Sequence, residues 1–214
     1  MRKSTIDKIF KLLSKNYPNP RTELKYINSY TFLISVVLSA QSTDISVNKA
    51  TKQLFKIIKN PQTMIKLGEE NLKKYIKKIG LYNSKARNII KLSKVLVNKY
   101  NNKIPKKFNE LISLPGVGNK TASVYQNVIL KIPRIAVDTH VFRLANRIGI
   151  TKTETANLTQ VKLEKAVPAK WLMEAHHFLI LHGRRICKAQ KPLCNLCSIQ
   201  QFCQYTKNKS KPSL

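Results

Sequence analysis

Hydrophobic residues recur at helical spacing along nearly the whole chain. In the first sixteen residues Ile6, Ile9, Phe10 and Leu13 have this spacing, and similar stripes run through residues 44–58 and 84–100. Apolar residues three or four apart line one face of an α-helix. No alternating run long enough for a β-strand and no internal repeat is present. The pattern predicts an all-α protein with many helices of one to four turns.

Capping residues predict where several of these helices begin and end. Glu69 begins a helix that Gly80 closes in the position after the C-cap, where glycine adopts a left-handed conformation without strain. Asp138 is placed to cap a helix running from Thr139 to Ile148, because a carboxylate accepts hydrogen bonds from unpaired N–H groups of the first turn. In the helix of residues 84–100 the lysines are expected to face outward.

The most apolar segment, Tyr30 to Ala40, predicts a buried core helix. It is too short to cross a bilayer. The basic start Met1-Arg-Lys is not followed by the apolar stretch and cleavage site of a secretory signal. We therefore expect a cytoplasmic protein with no membrane partner.

Charge changes this picture by pointing to a polyanionic partner. The 214 residues include 40 Lys plus Arg against 10 Asp plus Glu, a formal net charge of +30. Such an excess favours binding to nucleic acid. However, 32 of the 40 basic residues are lysines and Asn and Ile are abundant, as in proteins from AT-rich genomes. The charge supports nucleic-acid binding without proving it.

The segment Leu114-Pro-Gly-Val-Gly-Asn-Lys120 predicts a tight turn followed by a new helix. Gly116 and Gly118 allow backbone conformations that are closed to other residues. The N-terminus of a helix behind such a turn binds anions through its N–H groups and its dipole. Lys120 falls in the first turn of that helix, beside the expected anion.

A single carboxylate follows this lysine. Asp138 is the only acidic residue between Glu110 and Glu154. Lys120 and Asp138 together are candidates for catalysis. Each also has a structural alternative, since a lysine in such a turn commonly contacts phosphate and Asp138 is a good helix cap.

All four cysteines lie within 17 residues, at Cys187, Cys194, Cys197 and Cys203. In an intracellular chain this spacing favours one metal centre over disulfides. Zinc and an iron–sulfur cluster both remain open, and the spacing alone favours zinc because such zinc sites are common. The loop between the first two cysteines displays Lys188 and Lys191, which are either DNA-backbone contacts or solvated surface lysines.

Taken together, the glycine turn with Lys120, Val137-Asp-Thr-His140 and the C-x6-C-x2-C-x5-C tail resemble the endonuclease III family of helix-hairpin-helix DNA glycosylases with AP-lyase activity. The similarity runs from Tyr17-Pro-Asn-Pro to Cys203. It implies that the four cysteines hold one [4Fe–4S] cluster, in place of the zinc that spacing favours.

The family fold implies two helical lobes with a DNA-binding cleft between them. One lobe is a six-helix barrel at residues 22–132, which ends in the hairpin at about 108–131. The other is formed by residues 1–21 plus 133–214 and carries the cluster loop 187–203.

The resemblance also implies base excision repair of double-stranded DNA containing damaged pyrimidines or abasic sites. Lys120 would attack C1′ of a flipped nucleotide, and β-elimination would then break the strand 3′ to the lesion. Asp138 would stabilise the cationic sugar and help to deprotonate the lysine. Lys120 is expected to be buried, and its amine has to be unprotonated to attack.

By the same resemblance, Gln41 would fill the gap left by the flipped base and Leu81 would wedge into the opposite strand. Their structural alternatives are a polar residue ending an apolar helix and a packed core leucine. His140 either contacts DNA or packs within its helix. We expect a monomeric bacterial protein associated with the nucleoid.

Two alternatives remain. One is a mispair glycosylase of the same superfamily, which Lys120 and the expected lack of an extra recognition domain disfavour. The other is a non-catalytic DNA-binding or redox-sensing iron–sulfur module.

Overall fold

A computed structural model of the chain describes residues 1–209, and every regular element in that range is helical. Residues 210–214, part of the tail expected to fray from Lys207 to Leu214, lie outside the described residues. No β-strand occurs within residues 1–209, which confirms the all-α prediction. None of the helices in this range is long and apolar enough to span a bilayer.

The twelve α-helices are, in order, α1 (Lys3–Asn16), α2 (Ser29–Leu38), α3 (Asp44–Ile57), α4 (Pro61–Leu67), α5 (Glu69–Ile76), α6 (Tyr82–Tyr100), α7 (Phe108–Ile112), α8 (Asn119–Val128), α9 (Thr139–Ile148), α10 (Ala156–Ala166), α11 (Leu172–Arg185) and α12 (Gln204–Lys209). Three short 3-10 helices occupy Ala169–Trp171, Cys194–Leu196 and Gln200–Phe202.

The first compact unit, Glu23–Leu130, contains α2 to α8 and is built around α2. Every residue of α2 from Tyr30 to Leu38 is buried, as its continuous apolar sequence predicts. Helices α3, α6 and α8 pack against it, and α4 and α5 pack against α6. The unit has seven helices where the resemblance implies six, and α7 has only five residues.

The second compact unit joins Met1–Thr22 to the chain from Lys131 onward. Helix α11 lies against both α1 and α9, and α10 and α12 also contact α9. The rings of Phe10, Trp171 and Phe178 lie with centroids 6.3 to 6.4 Å apart and tie α1 to the start of α11. The first unit, Glu23–Leu130, has boundaries within two residues of the lobe that the resemblance implies, at 22 and 132.

The structure corrects two expectations about helix α6 and the turn before it. Helix α5 ends at Ile76, four residues before Gly80, and Gly80 does not have a positive φ, so it does not close α5. The left-handed residue is its neighbour Leu81, at φ 59°. The lysines of α6 were expected to face outward, but Lys85 is only 5% exposed.

Candidate functional site

The turn before α8 is anchored by two buried side chains, and Gly116 between them is exposed. Leu114 and Val117 are buried, and the Val117 N–H donates to the Leu114 carbonyl at 3.0 Å. Pro115 is followed by Gly116 with φ +78°, the sequence and conformation of a type II turn. A Cβ at Gly116 would lie 3.0 Å from Cβ of Asn88, so glycine is required here by both conformation and space.

Gly118 does not need to be glycine for its backbone, contrary to the sequence-based expectation. Its φ is −95° and its ψ is 178°, an extended conformation that any residue adopts. A Cβ added there would meet no atom within 4 Å. Gly118 is the N-cap of α8 and has no side chain with which to accept from the helix. The residue therefore leaves the space in front of α8 open.

Lys120 lies in the first turn of α8 and is exposed. The prediction that it would be buried is wrong for the chain alone, so desolvation of its amine has to come from a bound partner. The opposite face of α8 is firmly anchored. Tyr125 is buried with its ring 6.4 Å from that of Phe32, and the Gln126 amide donates to the Lys106 carbonyl just before α7.

Asp138 caps α9, as predicted. Its Oδ1 accepts from the N–H groups of His140 and Val141, each at 2.9 Å. Helix α9 then runs from Thr139 to Ile148 and ends at Gly149, which has φ +89°. The capping role of Asp138 is therefore a property of the fold, whatever else the carboxylate does.

His140 packs closely against α11. A Cβ added at Gly183 would lie 3.1 Å from Cβ of His140, so glycine allows the two helices to approach. The His140 ring is half-buried, and its Nδ1 lies 3.4 Å from an Nη2 of Arg143. The structure thus gives His140 a packing role, and contact with DNA stays a prediction.

Gln41 and Leu81 are both exposed, and both adopt a left-handed conformation that costs a residue with a side chain about 1–2 kcal/mol. Helix α2 ends at Leu38, so Gln41 lies in the following turn and does not end the helix. Leu81 is 58% exposed, which makes the core-leucine alternative wrong. The two turns are adjacent, because a Cβ at Gly80 would lie 3.5 Å from the Gln41 carbonyl oxygen.

The four cysteines line one pocket. Its other walls are mainly apolar and include Leu144, Ile148 and Ile199. Within residues 1–209, no group of three or more Cys, His, Asp or Glu side chains is arranged to hold a single metal ion. The pKa of the Cys197 thiol is raised to about 11, mainly by burial and to a smaller extent by the three neighbouring thiols.

Two side chains donate to, or lie against, these sulfurs. Arg147 Nη1 donates to Cys187 Sγ at 3.6 Å, and His182 Nε2 lies 3.4 Å from Cys197 Sγ. Burial lowers the pKa of His182 to about 4, so its ring is neutral and has one N–H. Because the Tyr17 hydroxyl lies 3.2 Å from Nδ1, it can donate there and leave the N–H on Nε2, facing Cys197.

The loop after Cys187 is held by arginines from α9. Arg147 donates to the carbonyl oxygens of Lys188 and Ala189 at 2.7 and 2.9 Å, and Arg143 donates to that of Cys187. Lys188 and Lys191 are exposed on this loop, and Lys191 has φ +45°. Neither arginine was predicted from the sequence as a site residue.

Comparison with known proteins agrees with this set of features. The family model described as the HhH-GPD superfamily of base excision DNA repair proteins matches residues 34–169, which include the glycine turn, Lys120 and Asp138. The chain belongs to this superfamily, and within it to the endonuclease III family. It is therefore a base excision DNA repair protein.

Endonuclease III relatives match this chain over almost its full length. The protein from Rickettsia conorii is 55% identical over 205 residues, covering 96% of this chain and 98% of the relative. The protein from Escherichia coli K12 is 46% identical, with coverage of 96% and 97%. One similar solved structure is described as a trapped endonuclease III–DNA covalent intermediate, the estranged-adenine complex. It is 40% identical in sequence and superposes with a TM-score of 0.92, over 99% of this chain and 100% of the chain in that structure.

A more distant likeness concerns the fold alone. A thermostable thymine-DNA glycosylase is 23% identical and superposes with a TM-score of 0.87, covering 96% of this chain and 98% of its own. The endonuclease III fold is thus shared with glycosylases whose sequences have diverged widely from this one.

Proposed function

We propose that this protein is a DNA glycosylase with an associated AP-lyase activity. It removes oxidised or otherwise damaged pyrimidines from double-stranded DNA and cleaves the strand 3′ to the resulting abasic site. It acts as a monomer in the bacterial cytoplasm, on nucleoid DNA. Membership of the base excision repair superfamily supports the repair role, and the arrangement around Lys120 supports the lyase step.

The observation that carries this proposal is the exposed amine of Lys120 in the first turn of α8. The helix N-terminus behind it begins at a glycine with no side chain of its own to fill the position. A DNA phosphate bound there would bring the sugar of a flipped nucleotide to the amine, since helix N-termini favour anions. A damaged or poorly stacked base is extruded at lower cost, which contributes to selectivity.

The chemistry needs one nucleophile and balanced proton transfers. The unprotonated Lys120 amine attacks C1′, the N-glycosidic bond breaks, and the base leaves with the bonding electrons and a proton. As the C1′–O4′ bond of the sugar ring breaks, the second amine proton passes to O4′ and a Schiff base forms, whose protonated form acidifies the C2′ proton. Removal of that proton drives β-elimination, which breaks the C3′–O bond. Water then hydrolyses the Schiff base and regenerates the lysine.

Asp138 contributes negative charge to this reaction. A carboxylate near the sugar stabilises positive charge that develops at C1′ and can accept a proton from the lysine. Its capping bonds to His140 and Val141 fix the orientation of the side chain. The same bonds that begin α9 therefore preorganise the carboxylate for catalysis.

The remaining DNA contacts divide into two kinds. Gln41 and Leu81 enter the duplex, with Gln41 in place of the flipped base and Leu81 in the opposite strand. The backbone contacts come from the turn at Gly116 and Gly118 and from Lys188 and Lys191, whereas His140 packs against α11. Exposure and left-handed conformation of Gln41 and Leu81 support their role, because solvent exposure of such strained residues is typical of functional sites.

The cysteine pocket fits a [4Fe–4S] cluster held by Cys187, Cys194, Cys197 and Cys203. Four thiolates are the usual ligand set of such a cluster, and N–H groups directed at the sulfurs stabilise their negative charge. Arg147 and His182 are placed to provide those contacts. When bound, the cluster offers a one-electron redox centre, and the loop that displays Lys188 and Lys191 would be shaped around it.

Borohydride trapping tests the nucleophile. The wild-type protein is incubated with duplex DNA containing thymine glycol or an abasic site, and the Schiff base is reduced to a stable adduct. Lys120→Ala should abolish the adduct, whereas Lys94→Ala, at an exposed lysine of α6, should not. An absence of adduct from the wild type, or undiminished trapping by Lys120→Ala, would mean that the protein is not a lysine-dependent lyase.

Metal analysis tests the cofactor independently. Protein purified without oxygen should be brown and contain about four iron atoms and four sulfides per chain. Replacing Cys197 with serine should reduce both contents. A colourless protein containing zinc and no iron would exclude the cluster.

A further inference from the structure

The buried lysine of α6 has no role in the chemistry above, and its surroundings are unusual. Lys85 is 5% exposed, and its Nζ donates to the Leu38 carbonyl at 2.9 Å, the Ala40 carbonyl at 2.6 Å and the Ser42 hydroxyl at 3.1 Å. An ammonium group has three N–H donors, and all three are used. Every acceptor belongs to the end of α2 or to the turn that follows it.

These acceptors lie on both sides of Gln41. Leu38 and Ala40 precede it, and Ser42 follows it, so the ammonium group spans the left-handed residue. Helix α2 is buried, so the carbonyl oxygens at its end have little access to water and need a protein donor. A cation is favourable at that end of a helix because of its dipole.

The same residue belongs to the turn that presents Leu81. The Lys85 backbone N–H donates to the Leu81 carbonyl at 3.0 Å, which begins α6 directly behind the left-handed Leu81. The side chain of Lys85 thus fixes one exposed, left-handed turn while its backbone fixes the other. Gly80 completes the junction, because a Cβ there would be in contact with the Gln41 carbonyl oxygen.

We propose that Lys85 is a positioning residue that holds the Gln41 and Leu81 turns as one rigid unit for entry into duplex DNA. The inference rests on the proposed function, since it assumes that these two side chains enter the helix. Lys85 does not touch the reacting atoms. It acts by setting the separation and direction of the two side chains that must enter the DNA together.

Comparison of two substrates separates this role from a general loss of structure. A duplex containing thymine glycol requires the side chains to enter between stacked bases, whereas an abasic site in single-stranded DNA has no opposite strand to displace. The variant is Lys85→Met, which keeps the length of the side chain but removes its three donors. Lys94→Met on the same helix removes an equal charge from an exposed position and is the matched control.

Single-turnover trapping rates should show a selective defect. We expect Lys85→Met to slow adduct formation on the duplex by about 10- to 100-fold and on the single strand by less than about 2-fold. Lys94→Met should leave the ratio of the two rates unchanged. Hydrogen exchange at residues 39–42 should become faster in Lys85→Met, while exchange in α8 stays as in the wild type.

Equal losses on both substrates, or an unchanged ratio of rates in a folded Lys85→Met protein, would overturn the inference. If this variant does not fold, Ser42→Ala decides, since it removes only one acceptor. It should slow the duplex reaction selectively by about 3-fold, and an unchanged ratio would overturn the proposal. A wild-type protein that forms no adduct with an abasic site in duplex DNA refutes the proposed lyase activity itself, so the two failures are distinguishable.

Discussion

Helices α8 and α9 begin in opposite ways, although both follow motifs with candidate catalytic residues. Helix α9 begins at Asp138, whose own carboxylate accepts two N–H groups of the first turn. Helix α8 begins at Gly118, which has no side chain and an extended backbone that would accept any residue. One helix end is filled by the chain itself, and the other is left accessible to a partner.

The difference shows how to distinguish a structural helix end from one kept open for a ligand. Capping residues such as Asp, Ser or Asn stabilise a helix more than a capping alanine by about 1 kcal/mol. Glycine is also a common N-cap residue, but it brings no side chain, so the N–H groups of the first turn stay available to an external anion. In this protein, the open end carries Lys120, and the closed end carries the carboxylate.

The largest expected effect separates the two roles of Asp138. Asp138→Asn keeps an oxygen that can accept from His140 and Val141 but removes the charge. We expect excision of thymine glycol to slow by about 10²- to 10³-fold, as when one electrostatic stabiliser of a transition state is lost. The free energy of unfolding in urea should change by less than about 0.5 kcal/mol.

Asp138→Ala provides the matched comparison for the cap. It should lose the same activity and, in addition, about 1 kcal/mol of stability, because no oxygen remains to accept. An Asn variant that excises at the wild-type rate would show that Asp138 serves only to begin α9.

Filling the open end of α8 should weaken DNA binding. Gly118→Asp gives α8 the kind of cap that α9 has, at a position where a Cβ meets no other atom. Its carboxylate would compete with phosphate for the helix N-terminus, so we expect the Kd for duplex DNA to rise about 10-fold. Fluorescence anisotropy with a labelled duplex measures this, with Gly118→Ala as control. Equal affinity of the Asp variant and the wild type would show that no phosphate binds there.

The two glycines of the turn should differ in their effect on stability. Gly116→Ala forces a side chain into a left-handed conformation and against Asn88, so it should lower the free energy of unfolding by about 1–2 kcal/mol. Gly118→Ala should change it by less than about 0.5 kcal/mol. Urea unfolding of both variants provides the test, and equal losses would contradict the distinction between a required turn and an open cap.

The smallest effect concerns the salt dependence of binding at the two helix ends. With an uncleavable abasic-site analogue, Lys120→Gln should reduce the slope of log K against log salt by about 0.9, the value for one phosphate contact. His140→Gln, at the closed end, should leave the slope unchanged because His140 packs against α11. A reduced slope in the His140 variant would instead assign that residue to the DNA interface.

Local signals were sufficient to predict α9 from the sequence. Asp138 and Gly149 both act through the backbone of adjacent residues, so their roles do not depend on distant parts of the chain. The apolar run of α2 likewise predicted a buried helix. Lys120, Asp138 and the four cysteines stand out in the sequence itself, whereas Gln41 and Leu81 come from the family resemblance, and the roles proposed for all of them remain to be tested.

Features that depend on distant residues could not be predicted in the same way. Gly80 resembled a helix terminator, but its place is set by contact with the turn at Gln41. Lys85 lies on the buried stripe with Ile89, Leu92 and Leu96, although the lysines of this helix were expected to face outward. A lysine is ordinarily exposed, and the acceptors that permit its burial lie more than 40 residues away in the sequence.

The packing of α1 against α11 has a consequence for the order of assembly during synthesis. The two helices belong to one compact unit but are separated by the whole Glu23–Leu130 unit in the sequence. The intervening segment can fold as soon as it leaves the ribosome, whereas the apolar face of α1 has to wait until residues 172–185 are made. Closing so long a loop is also slow. The second unit therefore forms last, once the residues of α11 have been made and can pack against α1.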